Sequence, residues 1–360
     1  MDKTLADIRD QAATVTRTVA TLADLEVPEW LGTGGNRVVY TGSGSSYYVG
    51  GIGAELAAMI AGTDAHALPA SDIWLLPGHH LRSGDALIGI SRTGTTFEGV
   101  RALHRARSLG VRTVAISLGT GTPLQDESDW SIALPHVEER GRVMMQSVSN
   151  LMAATTWLAA RMAMSATRPE GILYAEGLVR LGSILSATLS DFEASAVAVA
   201  ARDFDHHVIL ASGPFVPLAH EIALKFNEMT QIPVESYSLM EYRHGPIAAL
   251  SSGTLVSILG TRRSLPFIRL VVDDVAQLGA TSLVAITAES VEATQADIAV
   301  SLSPDLPEWM AGSLALPFFQ FLIYYQTLRL GKDPDRVRNL DADNPPSINP
   351  HFPDIDLPAQ

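Results

Sequence analysis

The chain has 360 residues, 47% of them apolar and 18% charged, with a net charge of −14 and no cysteine. Such a composition supplies a large core and, at roughly 100 to 200 residues per domain, suggests two domains. The absence of thiols excludes disulfides, thiolate zinc sites and cysteine nucleophiles and suits a reducing cytoplasm, while the acidic balance argues against nucleic acid, whose phosphates are bound mainly by Lys and Arg.

In chain order, residues 1–30 read as an N-terminal helical segment, because Leu5, Ile8, Ala12, Val15 and Val19 recur at helical spacing with charges between them. Neither a secretory leader nor a membrane span is expected. Residues 36–41 (NRVVYT) are predicted as a strand ending in Gly-Ser-Gly, and residues 52–60 as the helix that follows. A second strand, 85–90 (DALIGI), runs into Ser91-Arg92-Thr93-Gly94-Thr95-Thr96 and a helix through Ala106, and 111–118 supplies a third. None of the three runs alternates, as expected of strands covered on both faces.

Residues 144–195 are mostly helical in pattern, with their clearest break at Arg168-Pro169-Glu170-Gly171. The strand order then repeats at 208–212, 254–260 and 282–287, whose starts lie 170, 168 and 169 residues after Val38, Ala86 and Thr113 of the first set. Near-equal offsets indicate a duplicated α/β domain, with 31–168 as the first copy, 169–340 as the second and 341–360 as a tail. The apolar tract 314–323, interrupted by Pro317 and Gln320, is short for a bilayer and reads as a buried helix.

Two loops carry the first chemical signal. Ser43-Gly44-Ser45-Ser46 and residues 91–96 each follow a buried strand and open a helix, where unpaired N–H groups and the positive end of the helix dipole stabilise an anion. Hydroxyls add neutral donors, so even an acidic protein can hold a phosphate there. The plainer alternative is that these are ordinary Ser/Thr helix caps. Neither loop has the Walker lysine, and no G-x-G-x-x-G with a downstream acid follows, which disfavours nucleotides.

The second signal is Glu221, Lys225 and Glu228, spaced i, i+4 and i+7 on one helix face, with Glu241-Tyr242-Arg243-His244-Gly245-Pro246 following. A solvated row of ion pairs is the commoner meaning of such spacing. A carboxylate and an imidazole are also what proton transfer between C1 and C2 of a sugar, and opening of its ring, require. No metal site or cofactor is expected, since the pairs His79-His80 and His206-His207 lack a carboxylate at ligand spacing.

E-x-x-x-K-x-x-E followed by E-x-[KR]-H-G-P resembles the isomerase half of glucosamine-6-phosphate synthase and its glutaminase-free relatives, the double-domain SIS (sugar isomerase) family. The two hydroxyl-rich loops and Ala70-Ser71-Asp72 strengthen the likeness, which runs from about residue 30 to 340. The resemblance implies two tandem three-layer α/β/α domains, each with a mainly parallel sheet, and a phosphorylated sugar as substrate. By the same likeness Ser45, Ser46, Ser91, Arg92, Thr93 and Thr96 hold the phosphate, with Ser43 at the sugar. Glu228 is then the base, Lys225 organises the carbonyl and Glu221 orients Lys225. His244 opens the ring from the neighbouring subunit, which implies a homodimer.

The chain departs from the family pattern twice. Ala342 stands where the family's tail lysine is expected, which leaves proton transfer to Glu228 alone. In the strip 139–148, Met144, Met145 and Gln146 replace small and charged groups; Gln146 and Ser147 are candidate sugar contacts or parts of a core helix, and the methionines read as packing. Without a cysteine the chain cannot draw ammonia from glutamine. The expected activity is aldose–ketose isomerisation coupled to deamination of an aminosugar 6-phosphate. A phosphosugar isomerase, a fructosamine-6-phosphate deglycase and a sugar-phosphate sensor are the alternatives. A sensor is disfavoured because both Glu228 and His244 are present.

Overall fold

The computed structural model describes residues 2–32 and 36–340. The tail positions considered above, Ala342 among them, lie outside the described residues. Helices α1 (Lys3–Arg9) and α2 (Gln11–Ala23) lead into β1 (Val38–Gly42), α3 (Ser45–Leu56), β2 (Ala65–Pro69), α4 (Ala70–Leu75), α5 (Pro77–His80), β3 (Ala86–Ser91), α6 (Phe97–Ser108), β4 (Arg112–Ser117), α7 (Pro123–Asp126) and β5 (Trp130–Ala133). Two long helices follow, α8 (Gln146–Ser165) and α9 (Glu170–Ala200), separated at the predicted Arg168-Pro169 break. The second set comprises β6 (His206–Ala211), α10 (Phe215–Met229), β7 (Val234–Ser238), β8 (Thr254–Leu259), α11 (Leu265–Gln277), β9 (Thr281–Thr287), α12 (Val291–Thr294), β10 (Ile298–Leu302) and α13 (Ala311–Arg329).

The strands form two parallel sheets, ordered β2-β1-β3-β4-β5 and β10-β9-β8-β6-β7. Read from its other edge, the second sheet is β7-β6-β8-β9-β10, the same order one copy later. The duplication predicted from offsets is thus one topology drawn twice. The expected strands are β1, β3 and β4, and then β6, β8 and β9. In β1, β3 and β8 every residue is buried, which accounts for their unbroken apolar runs. The outer strands β2, β5, β7 and β10 complete the sheets beyond the six expected. They are short and half exposed, with His66, Ser131, Glu235 and Ser301 among their residues, so they lack the doubly buried pattern.

The chain divides into two compact units. The first comprises Thr14–Ala175 with the residues from Arg336 onward, and the second Met1–Ala13 with Glu176–Asp335. The start of the chain therefore belongs with the second sheet. Asp335 accepts the N–H groups of Lys3 and Thr4, each at 2.9 Å, and Gln11 donates to the buried Gln320 at 2.8 Å. Gln320 lies on α13, which buries the 314–323 tract as expected. By length and composition alone α9 is long and apolar enough to cross a membrane. Within the second unit, however, its Phe192 meets Phe318 edge-on and its Glu193 pairs with Arg9 at 2.6 Å, the contacts of a helix packed in protein.

Candidate functional site

In the first unit β1 has β2 on one side and β3 on the other, so the order of connection reverses between β1 and β3. Open parallel sheets bind ligands at the carboxyl ends of the strands beside such a switch. The two hydroxyl loops leave from those ends. Ser43 follows the last residue of β1 and Ser91 is the last residue of β3, on neighbouring strands of the sheet.

Neither loop spends its hydroxyls on helix capping. The N-cap of α3 is Gly44, at φ 56° and ψ −128°, a conformation suited to glycine. Ser45 and Ser46 sit in the first turn and are 6% and 5% exposed. The N-cap of α6 is Thr96, whose side chain makes no capping bond and instead meets Ser91 Oγ at 2.9 Å. Ser91 Oγ also accepts the Gly94 N–H at 3.0 Å, and Thr93 Oγ1 meets Thr95 Oγ1 at 2.8 Å. At Gly94 φ is 70°, and a Cβ there would lie 2.3 Å from Thr122 Oγ1. Arg92 donates to the Arg142 carbonyl at 3.3 Å. Two helix starts that lack side-chain caps, with exposed hydroxyls at Ser43 and Thr93, make a setting for a tetrahedral anion.

Gln146 and Ser147 open α8 and are buried, at 1% and 0% exposure. Gln146 donates to the Glu138 carbonyl at 2.7 Å, and Met145 is wholly buried, consistent with packing. Sequence reasoning did not assign Glu139. Its carboxylate accepts the N–H groups of Met145 at 3.1 Å and Ser147 at 2.8 Å, neutralising the start of a 20-residue helix. The acid stands seven residues before the helix and acts through the fold, so helix-cap spacing could not reveal it.

In the second unit α10 presents Glu221, Lys225 and Glu228. Glu221 is 0% and Lys225 1% exposed, not the solvated face that such spacing most often marks. The Lys225 ammonium lies 2.6 Å from Glu228 and 3.6 Å from Glu221. Buried charges persist only when paired this closely. The Glu228 side chain keeps 22% of its surface, so the row ends in a carboxylate that another molecule can reach.

His244 ends a short 3-10 turn, Glu241–His244, and is exposed. Tyr242 before it is fully buried, and Arg243 forks onto Asp274 of α11 at 2.7 and 3.5 Å. A groove of about 280 Å³ lined by Arg243, Ile247, Asp274, Gln277 and Leu278 adjoins that pair.

The switch in the second sheet, between β6 and β8, has diverged. Gly213 and Phe215 stand 170 residues after Ser43 and Ser45. The Trp309 ring lies over Gly213, 3.2 Å from where a Cβ would be, and meets Phe215 at 5.2 Å between ring centres. Among the described residues no group of three His, Asp or Glu is disposed to hold a metal ion.

A family model described as the SIS domain matches residues 34–162 and again 202–325. The glutamine–fructose-6-phosphate aminotransferase [isomerizing] of Aeropyrum pernix is 26% identical over 317 residues, covering 85% of this chain and 51% of that protein. The chain spans about half the length of the curated relatives it matches. Among solved structures, the C-terminal domain of glucosamine-fructose-6-phosphate aminotransferase from Francisella tularensis aligns with a TM-score of 0.83 at 20% identity, over 93% of this chain and 98% of that one. Glucosamine-6-phosphate deaminase from Thermotoga maritima aligns with a TM-score of 0.76 at 26% identity, over 94% and 98%. With one match on each five-stranded sheet, the chain belongs to the SIS domain family.

Proposed function

We propose that this protein isomerises an aminosugar 6-phosphate between its aldose and ketose forms and releases the nitrogen as ammonia. The observation that carries the proposal is the buried Glu221–Lys225–Glu228 row, which holds one reachable carboxylate against an ammonium at 2.6 Å. The likeness to a glucosamine-6-phosphate deaminase at 26% identity supports the choice of substrate.

In this reading Ser45, Ser46, Ser91, Arg92, Thr93 and Thr96 hold the phosphate, with the first-turn N–H groups of α3 and α6, and Ser43 meets the sugar. His244, lent by the partner of a homodimer, moves a proton from the anomeric hydroxyl to the ring oxygen and so opens the ring. Glu228 takes the proton from C2, and Lys225 stabilises the oxygen at C1 as the double bond moves. Returning the proton to C1 leaves an imine at C2. Water adds there and ammonia departs, so one aminosugar phosphate and one water give one ketose phosphate and one ammonia. Glu221 holds Lys225 in place. Gln146, through the Glu138 carbonyl, and Ser147, through the Glu139 carboxylate, hold the strip before α8 next to the sugar. The cysteine-free chain is assigned to the cytoplasm.

Ammonia release from glucosamine 6-phosphate tests the proposal. Glu228→Gln is expected to lower kcat by at least about 10²-fold with KM little changed, since general-base catalysis contributes roughly 10²–10⁴. Isomerisation without ammonia, or binding without turnover, overturns the deaminase assignment.

A further inference from the structure

The loop that carries His244 is short and has no α-helix or strand within it. It consists of two 3-10 turns, Glu241–His244 and Pro246–Ala249, joined at Gly245 with φ 138°. Two neighbouring side chains tether it. Tyr242 is buried in one core cluster with Val271, Val272 and Val275 of α11. Arg243 reaches the same helix from outside, its Nε 2.7 Å from Asp274 Oδ2 and its second nitrogen 3.5 Å from Oδ1. A forked guanidinium–carboxylate contact fixes orientation as well as distance. Asp274 is itself held fast, because Val271 and Val275 on either side of it in α11 are fully buried. His244, one residue beyond the tether, is exposed.

We infer that Asp274 is a positioning residue: through Arg243 it fixes the loop on which His244 is presented to the substrate. This rests on the ring-opening role given to His244 above. A merely stabilising role accounts for the pair less well. Both side chains are partly open, at 37% and 25%, and pairs so exposed add little to folding.

The full-length protein is assayed for ammonia release from glucosamine 6-phosphate as Asp274→Ala, Arg243→Lys, His244→Ala and the Asp274→Ala/His244→Ala double variant. Asp274→Ala is expected to lower kcat about 10- to 100-fold, the cost of misplacing a catalytic group by around an ångström. KM should stay within about twofold, because the phosphate is held by other loops. Arg243→Lys keeps the charge without the fork and should fall between. In the His244→Ala background the Asp274 substitution should change kcat by less than about twofold, since its effect passes through the missing ring. Asp274→Asn, nearly the same shape, is read in the same way should the alanine variant fold poorly. Unchanged kcat in Asp274→Ala, or an equal further loss when it is combined with His244→Ala, overturns the inference and leaves the proposed function intact. Full turnover by His244→Ala overturns the ring-opening step itself, and the inference with it.

Discussion

His207, on β6, is a buried imidazole with a plain structural task. It is 2% exposed, meets Ser257 Oγ at 2.8 Å through Nε2, and stands edge-on to Phe226 of α10 at 4.4 Å between ring centres. Burial, and secondarily the neighbouring His206, pushes its pKa down from 6.5 to about 3. The unfolded chain therefore takes up this proton as pH falls below about 6.5, while the folded chain resists until near 3. The contribution is complete above the unfolded value and is lost on acidification, by about 1.4 kcal/mol per pH unit between the two. His207→Gln should flatten the fall in denaturation midpoint between pH 6 and 4 by about one proton's worth; parallel curves for the two proteins would contradict this. At this scale the hydroxyl loops and the charged row were legible, because a run of Ser and Thr after a strand or acids at helical spacing are local patterns. Glu139 and Asp274 were not, since each acts on residues that only the folded chain brings near it.

At the scale of elements, α10 carries an unusual burden. Its Glu221 and Lys225 are wholly buried and stand 3.6 Å apart, a mutual neutralisation that offsets part of the cost of burying both charges. Lys225→Met fits the space but removes the ammonium 3.6 Å from the buried Glu221, at a cost of about 3–5 kcal/mol. Adding Glu221→Gln should recover most of that loss, as thermal or denaturant unfolding of the single and double variants will measure. Equal destabilisation in both would mean that the row is not electrostatically coupled. The spacing of the three charges was readable beforehand, but their burial was not, because α10 has apolar residues on several sides and the side that faces the protein is set by packing on β6 and β7. Strands divided along similar lines. Those covered on both faces announced themselves as unbroken apolar runs, whereas β2, β5, β7 and β10, half wet, resemble loops.

For the whole molecule, three matching offsets were enough to predict two copies of one fold, and the topology repeats as expected. The exchange of the first thirteen residues into the second unit left no trace in the sequence, because its anchor, Asp335, lies 331 residues beyond Thr4. If His244 is lent between subunits, two crippled chains can mend each other. Mixing Glu228→Gln with His244→Ala chains through unfolding and refolding should restore about a quarter of the wild-type activity, since half of randomly paired dimers are mixed and each has one sound site. No recovery would assign base and imidazole to the same chain.

The helices α3 and α6 begin without side-chain caps, and that choice reaches beyond catalysis. Leaving out a cap costs from roughly a few tenths of a kcal/mol where glycine takes the place, as Gly44 does, to about 1 kcal/mol, and a phosphate ester seated on both starts stabilises by more, about 2.7 kcal/mol at a hundred times its dissociation constant. Under the proposed function the metabolite thus doubles as a preservative: proteases would clear the protein fastest in a starved cell and spare it when its substrate is plentiful.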